Sequence, residues 1–409
     1  MNTAVLTALE SLSMGQTPPD PAILKRLTVG SEYLLDFLIV EYLEDFIRRG
    51  GSKVKFLVGR EGSGKTHLLR LLADAAAERD YLTALVDARD IRLNKFQTFY
   101  QSVLAGMDVT QLVRRYCAGL VGGLGYPPGE IPADMSFMNW VIARGQVPKL
   151  VRTELMKALE ELYRNRRLNQ YFALAFIYLC QDHLGLQALE PDQHAALVAW
   201  LQGNTLPNRA MHRMHIYSRI DKYNARHMLR SLVEVARLAG YAGLFVAVDN
   251  LEVVAARGPS GRPLYTRAAR DEVYESLRQL IDDIDGLEGV FFVFALRNDL
   301  LVDQKAGIKT HEPLYLRLQN EVVGNRLNKF ADLLDLDLAG KQFFGAEELA
   351  EVAKRINELR AAAGWPPVPL GGQKIHEYAH SSGAVAPIRR LVMAFAAPIT
   401  AREGDEVGA

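Results

Sequence analysis

Cysteine is nearly absent from this sequence, which contains only Cys117 and Cys180 among 409 residues. Their separation fits neither a disulfide framework nor a zinc-binding motif, so we predict two buried free thiols in a reducing compartment. Long apolar runs are missing too. The longest, from Phe172 to Cys180, is far shorter than the ~20 residues of a membrane-spanning helix. The first residues lack the basic and apolar segments of a signal peptide. We therefore expect a cytoplasmic protein without a membrane partner.

Net charge is also absent, because 48 Lys and Arg residues balance 48 Asp and Glu residues. Such a molecule has no overall field that attracts nucleic acid or an anionic membrane, so any basic surface must be local. The most basic stretch runs from Arg209 to Arg230, where several Arg and Lys residues and interleaved histidines face a single acid, Asp221. A cationic helical surface of this kind binds DNA, contacts an acidic partner or is simply solvated.

Short apolar segments, separated by stretches with helical periodicity, predict a parallel sheet whose two faces are both covered. The predicted strands are residues 53–58, 82–86, 244–248 and 290–296, with 333–338 as a fifth candidate. Ahead of the first strand, apolar residues between Leu34 and Phe46 recur at helical spacing. Residues 15–21, before that helix, are expected to form a mobile linker.

A glycine-rich motif joins the first predicted strand to a predicted helix at residues 66–79. It reads Gly59-Arg60-Glu61-Gly62-Ser63-Gly64-Lys65-Thr66 and fits GxxxxGK[ST] at every position. The glycines allow backbone N–H groups to turn inward around phosphate. We predict that Lys65 reaches the β- and γ-phosphates and that the Thr66 hydroxyl is a magnesium ligand. This loop, with the following His67, is the predicted site of ATP and Mg²⁺ binding.

An acidic residue at the end of a neighbouring strand is also needed to hold the metal, and Asp249 follows the strand 244–248. Asp249 is thus the candidate Walker B aspartate. The next residue is usually glutamate in hydrolytic proteins of this class, but it is Asn250 here. Asn250 can orient water but cannot accept its proton, and Glu252 is the nearest carboxylate. Two hypotheses stay open: Glu252 is the base, or turnover is slow.

Further polar residues are candidates for sensing the nucleotide. AAA+ proteins place such a residue at the end of the strand beside Walker B, which here means Asn298 or Arg297, although Asn is also a common turn residue. Arg389 and Arg390 open an apolar helix near the end of the chain, and either one is a candidate lid arginine. Arg317 and Arg326 are candidates for an arginine that acts across the interface of a homo-oligomer, or they lie on a solvated helix face.

These features predict an α/β fold: a P-loop AAA+ core, with its parallel sheet between helices, a large all-helical insertion and a small C-terminal helical lid. Roughly 150 residues with helical periodicity separate the second and third strands, which is too many for a simple crossover. We place the insertion at residues 106–235, between core segments 1–105 and 236–338. Residues 339–409, with helical stretches at 347–363 and 373–397, form the predicted lid.

A second motif points to another class of protein. The residues from His376 to His380 fit HExxH, in which two histidines one helical turn apart bind zinc. A peptidase also needs a third ligand and a domain that completes its cleft. No histidine follows His380, and only a short segment remains. We interpret this match as fortuitous spacing on a lid helix.

Four segments together resemble a known family. They are Val29-Gly30-Ser31-Glu32, the loop from Gly62 to Leu69, Gly240 to Leu244 leading into Asp249-Asn250-Leu251-Glu252, and Ile388 to Val392. The family is that of the ATP-binding proteins of BREX phage-defence loci, whose AAA+ core is distantly similar to origin-recognition and helicase-loader ATPases. The resemblance covers nearly the whole chain. It implies a cytoplasmic prokaryotic antiphage ATPase that works beside a DNA helicase, a methyltransferase and other products of the locus.

The sequence departs from this family at two places. Members usually read Asp-Glu-x-Glu at Walker B, so Asn250 removes one acid while Glu252 matches the second. The family's lid often has Pro-Arg where this chain has Ala384 and Val385, which leaves Arg389 as the only matching lid arginine. The leading hypothesis is an ATPase that uses its nucleotide state to act on DNA or on a partner helicase. The alternative is a nucleotide-locked scaffold that docks partner proteins.

Overall fold

The computed structural model describes residues 3–30, 34–204, 209–319, 327–379 and 385–398. Within these ranges one parallel sheet of five strands is surrounded by helices. The strands are β1 Lys53–Val58, β2 Tyr81–Asp87, β3 Gly243–Asp249, β4 Val290–Leu296 and β5 Leu333–Asp335. Their order across the sheet is β2-β3-β4-β1-β5. The predicted α/β fold with a parallel sheet is confirmed.

The central strands are buried because helices cover both faces of the sheet. Side chains along a strand alternate between two hydrophobic clusters, as the two-residue repeat of a strand requires. Phe56 and Val246 belong to the cluster on one face, whereas Leu57 and Phe245 belong to the cluster on the other. Since all five strands run in the same direction, their carboxyl ends meet at one edge of the sheet.

Strand β5 is shorter than predicted. Its last residue, Asp335, accepts hydrogen bonds from the backbone N–H groups of Asp337, at 2.9 Å, and Leu338, at 3.1 Å. An aspartate in this position caps the amino terminus of a helix. The expected strand up to Leu338 is therefore wrong, and a helix begins at Leu336 instead.

Four helices flank β1. They are α1 Thr3–Ser13, α2 Pro21–Leu27, α3 Leu35–Leu38, which continues as a π-helix at Ile39–Phe46, and α4 Lys65–Ala77. The segment between α1 and α2 differs from the predicted mobile linker. Nη1 of Arg70 donates hydrogen bonds to the carbonyl oxygens of Thr17, at 2.8 Å, and Pro18, at 2.9 Å. These contacts fix the segment against α4.

In the described part of the chain between β2 and β3, all regular structure is helical. The helices are α5 Phe96–Ala105, α6 Val109–Gly123, α7 Phe137–Ala143, α8 Pro148–Arg164, α9 Gln170–Leu184, α10 Pro191–Leu201, α11 Arg209–Arg213 and α12 Ala225–Leu238, with a 3₁₀ turn at Pro128–Glu130. Their buried residues form one continuous cluster with a face of the sheet. These helices thus extend the core rather than enclosing a separate one.

Helical structure continues after β3 and β4. Between β3 and β5 lie α13 Arg267–Asp282, α14 Asn298–Val302 and α15 Glu312–Gln319, with 3₁₀ turns at Leu251–Ala255, Ile284–Gly286 and Ile308–Thr310. After β5 come α16 Leu336–Phe343, α17 Ala346–Ala362, α18 Gly372–Ala379 and α19 Pro387–Ala396. The helical stretch predicted over 373–397 is not continuous. Val385 forms a parallel β-bridge with Glu61, and Pro387 then starts α19.

A third hydrophobic cluster joins the two ends of the described chain. Leu9 and Ile23, from α1 and α2, pack with Leu359 of α17 and Leu391 of α19. Within this region Arg360 is fully buried and donates hydrogen bonds to three backbone carbonyl oxygens, which replace the water that its charge loses. The predicted boundaries of core, insertion and lid stay predictions, but α1 and α2 share their packing with the predicted lid helices.

Candidate nucleotide-binding site

The glycine-rich loop lies at the carboxyl end of β1 and leads directly into α4. Gly62, with φ of +80°, and Gly64, with φ of +90°, adopt backbone conformations that disfavour any side chain. A Cβ on Gly64 would meet no described atom within 4 Å, so open space lies beside the loop at the start of the helix. Backbone N–H groups at the amino end of a helix favour anions such as phosphate.

Lys65 is held inside this loop. Its ammonium donates hydrogen bonds to the carbonyl oxygens of Gly59 and Arg60, each at 2.8 Å, and its side chain is almost fully buried. Burial lowers the pKa of Lys65, and the nearby carboxylates of Glu252 and Asp249 oppose that shift. The loop itself therefore positions the ammonium for a phosphate group.

Thr66 and Asp249 bring together the two predicted metal-binding groups. The Thr66 hydroxyl donates a 2.6 Å hydrogen bond to Oδ2 of Asp249, at the end of β3. The other carboxylate oxygen of Asp249 accepts the backbone N–H of Asn250 at 2.9 Å. A hydroxyl and a carboxylate in contact offer the oxygen ligands that Mg²⁺ prefers. These residues fit the predicted metal ion.

Glu252 lies in the 3₁₀ turn after β3, with its side chain largely buried in the same cleft. Its Oε2 atom is buried and accepts no hydrogen bond from the described part of the protein. Nε of Arg297 lies 3.9 Å from the other oxygen. Burial raises the pKa of Glu252, and the positive charges of Lys65 and Arg297 only partly offset this. A buried carboxylate with an unused lone pair is suited to accept a proton from water.

Asn250 has a left-handed backbone conformation, with φ of +60°. Asparagine tolerates this conformation better than most residues do. Its Nδ2 atom donates a 3.0 Å hydrogen bond to the carboxylate of Asp87, at the end of β2. The amide of Asn250 thus ties together the ends of two neighbouring strands.

Asn298 and the P-loop share one carboxylate, that of Asp337. Oδ2 of Asp337 accepts Nδ2 of Asn298 and the backbone N–H of Arg60, each at 2.9 Å, and Oδ1 accepts Nε of Arg60 at 3.2 Å. Oδ1 of Asn298 is buried without a partner among the described residues. Sequence reasoning missed Asp337. Its signal is an acid just after an apolar strand, at the same edge of the sheet as Asp249.

His67 contacts Thr28, a second residue that the sequence did not single out. Nε2 of His67 lies 2.8 Å from the Thr28 hydroxyl oxygen. Burial, together with the nearby charge of Arg70, lowers the pKa of His67 to about 4. Neutral His67 therefore joins the start of α4 to the segment that follows α2.

The P-loop also contacts the start of α19. Nη1 of Arg389 lies 2.6 Å from Oε1 of Glu61, and the backbone N–H of Ala386 donates to the Glu61 carbonyl oxygen at 2.9 Å. A Cβ on Gly62 would lie 2.3 Å from Cβ of Arg389, so only glycine permits this approach. Of the two lid arginines predicted, Arg389 lies at the loop, whereas Arg390 is exposed and does not line the cleft.

Most predicted site residues line one cleft of about 1900 Å³, which is larger than the ~300–1,000 Å³ of typical ligand pockets. The predicted residues that line it are Arg60, Glu61, Gly62, Ser63, Gly64, Lys65, Thr66, His67, Asp249, Asn250, Glu252, Arg297, Asn298 and Arg389. Arg317 lies elsewhere, on α15, and its Nε contacts Oδ1 of Asp282 at 2.6 Å. Arg326 lies outside the described residues.

The HExxH match remains without structural support. His376 and Glu377 belong to α18, where Glu377 is exposed. The structure does not describe the side chain of His376, and His380 lies outside the described residues. Among the described residues, no group of three or more His, Cys, Asp or Glu side chains is arranged to hold a metal ion.

A parallel sheet whose first strand leads through a GxxxxGKT loop into a helix defines the class of P-loop nucleotide-binding proteins. The sequence model of the family described as BREX system ATP-binding protein BrxC/D matches residues 3–385. The chain belongs to this family, and ATP is the nucleotide that the family description names. No curated protein matches the chain. None of the helices in the described ranges has the length and apolar character needed to cross a membrane.

Proposed function

We propose that this protein hydrolyses ATP in the cleft between the P-loop and the amino end of α19, with Glu252 as the base. The observation that carries the proposal is the buried, unpartnered oxygen of Glu252, which faces the same cleft as Lys65 and the Thr66–Asp249 pair. A carboxylate in this position can take a proton from the attacking water. Its raised pKa favours proton transfer, provided that it is ionised at working pH.

The remaining predicted residues have separate roles in this proposal. Backbone groups of the loop and Lys65 bind the phosphates, and Thr66 and Asp249 hold Mg²⁺, which offsets negative charge on the transferred phosphoryl group. The unpartnered Oδ1 of Asn298 faces a ligand rather than a protein group. Arg389 senses the nucleotide, because its ion pair with Glu61 joins α19 to the loop. These assignments describe an AAA+ type of site with a mobile helical lid.

Family membership connects this chemistry to antiphage defence. We propose that the protein works in the cytoplasm of a prokaryotic cell with other BREX proteins, a helicase among them. ATP binding and hydrolysis would then change the contact between α19 and the P-loop, and DNA or a partner protein would respond to that change. Assembly into a homo-oligomer belongs to the same proposal, with Arg326 as the remaining candidate for an arginine acting in trans.

A specific observation favours a second function. Asn250 stands where hydrolytic relatives have an acid, and its amide is engaged with Asp87. If Glu252 does not act as a base, bound ATP is structural and the helical region between β2 and β3 is a docking surface for partners. The protein would then bind ATP tightly and turn it over slowly.

Substitution of the candidate base separates the two functions. Glu252→Gln is expected to lower turnover by a factor on the order of 100 while ATP affinity stays nearly unchanged, since the loop, Lys65, Thr66 and Asp249 remain. Turnover is measured by phosphate release, and affinity by calorimetry. Lys65→Ala is the control that should lose binding. Asn250→Glu adds a carboxylate beside Asp87, so a large gain in turnover from that change, with no loss from Glu252→Gln, would overturn the proposal.

A further inference from the structure

The segment from Met211 to Tyr223, at the outer end of the helical region, alternates between buried and exposed side chains. Met211, Met214, Ile216 and Ile220 are buried in the main hydrophobic cluster. Most of the residues between them are exposed, and they are cations, histidines and tyrosines. Four apolar anchors along one short segment fix which side chains face the solvent.

Hydrogen bonds hold the backbone of this segment. The buried indole of Trp200 donates to the carbonyl oxygen of Ser218 at 2.9 Å. Nδ2 of Asn224 donates to the carbonyl oxygen of Arg219 at 2.8 Å, and Oδ1 of Asp221 accepts the backbone N–H of Tyr223 at 2.9 Å. Buried groups therefore order the exposed side chains before any partner arrives, which lowers the entropic cost of binding.

Two tyrosine rings project from this segment into solvent. Tyr217 is 57% exposed and Tyr223 is 84% exposed, which is unusual for rings that large in a chain with a sizeable core. The hydroxyl of Tyr217 lies 3.1 Å from Nδ1 of His215, and the ring of His212 lies 5.5 Å from that of Tyr217. Nζ of Lys222 lies 4.9 Å from the centre of the Tyr223 ring. Each ring thus stands beside a polar or cationic group and keeps a face free.

The charge of the segment is positive. Arg213, Arg219 and Lys222 are exposed, and the only acid among them, Asp221, is mostly buried and lies 3.8 Å from Arg219. Arg226 corrects the expectation of one basic surface from Arg209 to Arg230.

Arg226 belongs to the packed core instead. Its Nη2 donates a 2.7 Å hydrogen bond to the Ser276 hydroxyl, its guanidinium covers the ring of Phe96 at 4.4 Å, and burial lowers its pKa. The exposed positive charge is therefore confined to the segment that also carries the free tyrosine rings.

We infer that the basic aromatic surface, formed by Arg213, Tyr217, Arg219, Lys222 and Tyr223, binds single-stranded nucleic acid. Bases stack on the two tyrosine rings, and the three cations contact phosphates. A duplex hides the faces of its bases, so exposed rings favour an unpaired strand. The inference rests on the DNA-directed part of the proposed function and is independent of hydrolysis.

The test uses the full chain with fluorescein-labelled oligonucleotides and measures binding by anisotropy, without ATP and with EDTA. The probes are a single-stranded oligo(dT), the matching oligo(rU), and a hairpin duplex of equal charge. Tyr217→Ala with Tyr223→Ala is expected to weaken oligo(dT) binding about tenfold or more, whereas the two Tyr→Phe changes retain it, because the ring provides the stacking.

Replacing Arg213, Arg219 and Lys222 by Ala should flatten the dependence of log affinity on log salt by about two, near 0.7 per lost contact on a single strand. The matched control lies on α8 in the same helical region: Tyr163→Ala for the rings, and alanine at Lys149, Lys157 and Arg164 for the charges. All four control residues are exposed. They are expected to have little effect.

Several results would overturn the inference: no binding of either single strand, equal or tighter binding of the duplex, or equal losses in the surface and control variants. Preference for oligo(rU) over oligo(dT) would keep the single-strand inference but assign RNA as the ligand. ATP turnover measured on the same variants keeps the two proposals apart. Loss of strand binding with normal turnover supports this surface, and normal strand binding in an inactive Glu252→Gln variant leaves it intact.

Discussion

At the scale of single residues, the left-handed conformation of Asn250 decides which side chains face the cleft. It sends the amide of residue 250 towards Asp87, while Glu252 ends up near Lys65. The sequence identified the two candidates for the base but could not choose between them. That choice depends on a backbone angle and on a partner far away in the chain, and neither leaves a local pattern in the sequence.

The same limit applies to Asp337 and Thr28. Each contacts a predicted site residue, Arg60 in one case and His67 in the other. The P-loop itself was predictable because its residues are consecutive and their spacing follows from phosphate chemistry. Partners contributed by distant segments depend on the packing of the whole sheet.

His67 leads to a prediction about pH. Its pKa is about 4 in the folded protein and near 6.5 when unfolded, because burial and the charge of Arg70 disfavour the imidazolium. The unfolded chain therefore binds the proton more strongly between these values. The contribution of neutral His67 to stability is complete above pH 6.5 and is lost as the pH falls towards 4. We expect His67→Gln to reduce the fall in unfolding free energy between pH 7 and pH 5, measured by urea denaturation.

The control for this prediction is His212→Gln, because His212 is exposed. That change should leave the difference between the two pH values as it is in the unmodified protein. If His67→Gln and the unmodified protein lose the same unfolding free energy from pH 7 to pH 5, His67 is not the group that titrates.

At the scale of helices and strands, the sequence predicted the first four strands within a residue or two, since each is a short apolar run between helices. It was less successful towards the end of the chain. β5 is cut short by the cap formed by Asp335, and the helical stretch at 373–397 is interrupted where Val385 pairs with Glu61. In both places a hydrogen bond to another group outweighs local periodicity.

The contact between α19 and the P-loop can be tested at this scale. Arg389→Ala removes the ion pair with Glu61 and the packing on Gly62. We expect faster amide hydrogen exchange at the start of α19, because the remaining backbone contacts open more often without it. Arg390→Ala is the matched control, as Arg390 is the adjacent residue and is exposed. Equal exchange in the two variants would mean that the arginine does not hold the helix to the loop.

At the scale of the whole molecule, the described residues form three hydrophobic clusters, and the third is built from both ends of the chain. The cleft lies where this third cluster meets the edge of the sheet, so residues from α1, α2 and α19 line it together with the P-loop. The sequence predicted a lid from the carboxyl-terminal helices. It did not predict that α1 and α2 pack with them, because nothing in a short amphipathic helix specifies a partner hundreds of residues away.

Leu9→Ala tests this arrangement. Leu9 is fully buried between α1 and the last helices, and its truncation should cost about 2–5 kcal/mol of local stability. The expected result is faster hydrogen exchange in α17 and α19. Leu159→Ala is the control, since Leu159 is equally buried in the main cluster. That variant should be destabilised while exchange in α17 and α19 changes little; a reversed pattern would show that α1 does not support the last helices.

The packing of α1 also sets an order of events during synthesis. Helix α1 leaves the ribosome first, yet its partners α17 and α19 are translated several hundred residues later. At bacterial elongation speeds of roughly 5–20 residues per second, the apolar face of α1 waits for tens of seconds. During that time the sheet and the long helical region between β2 and β3 can already fold, but the nucleotide cleft lacks one wall. ATP binding is therefore among the last properties that a growing chain acquires, and a chain that stops before α19 keeps an exposed apolar helix for chaperones to recognise.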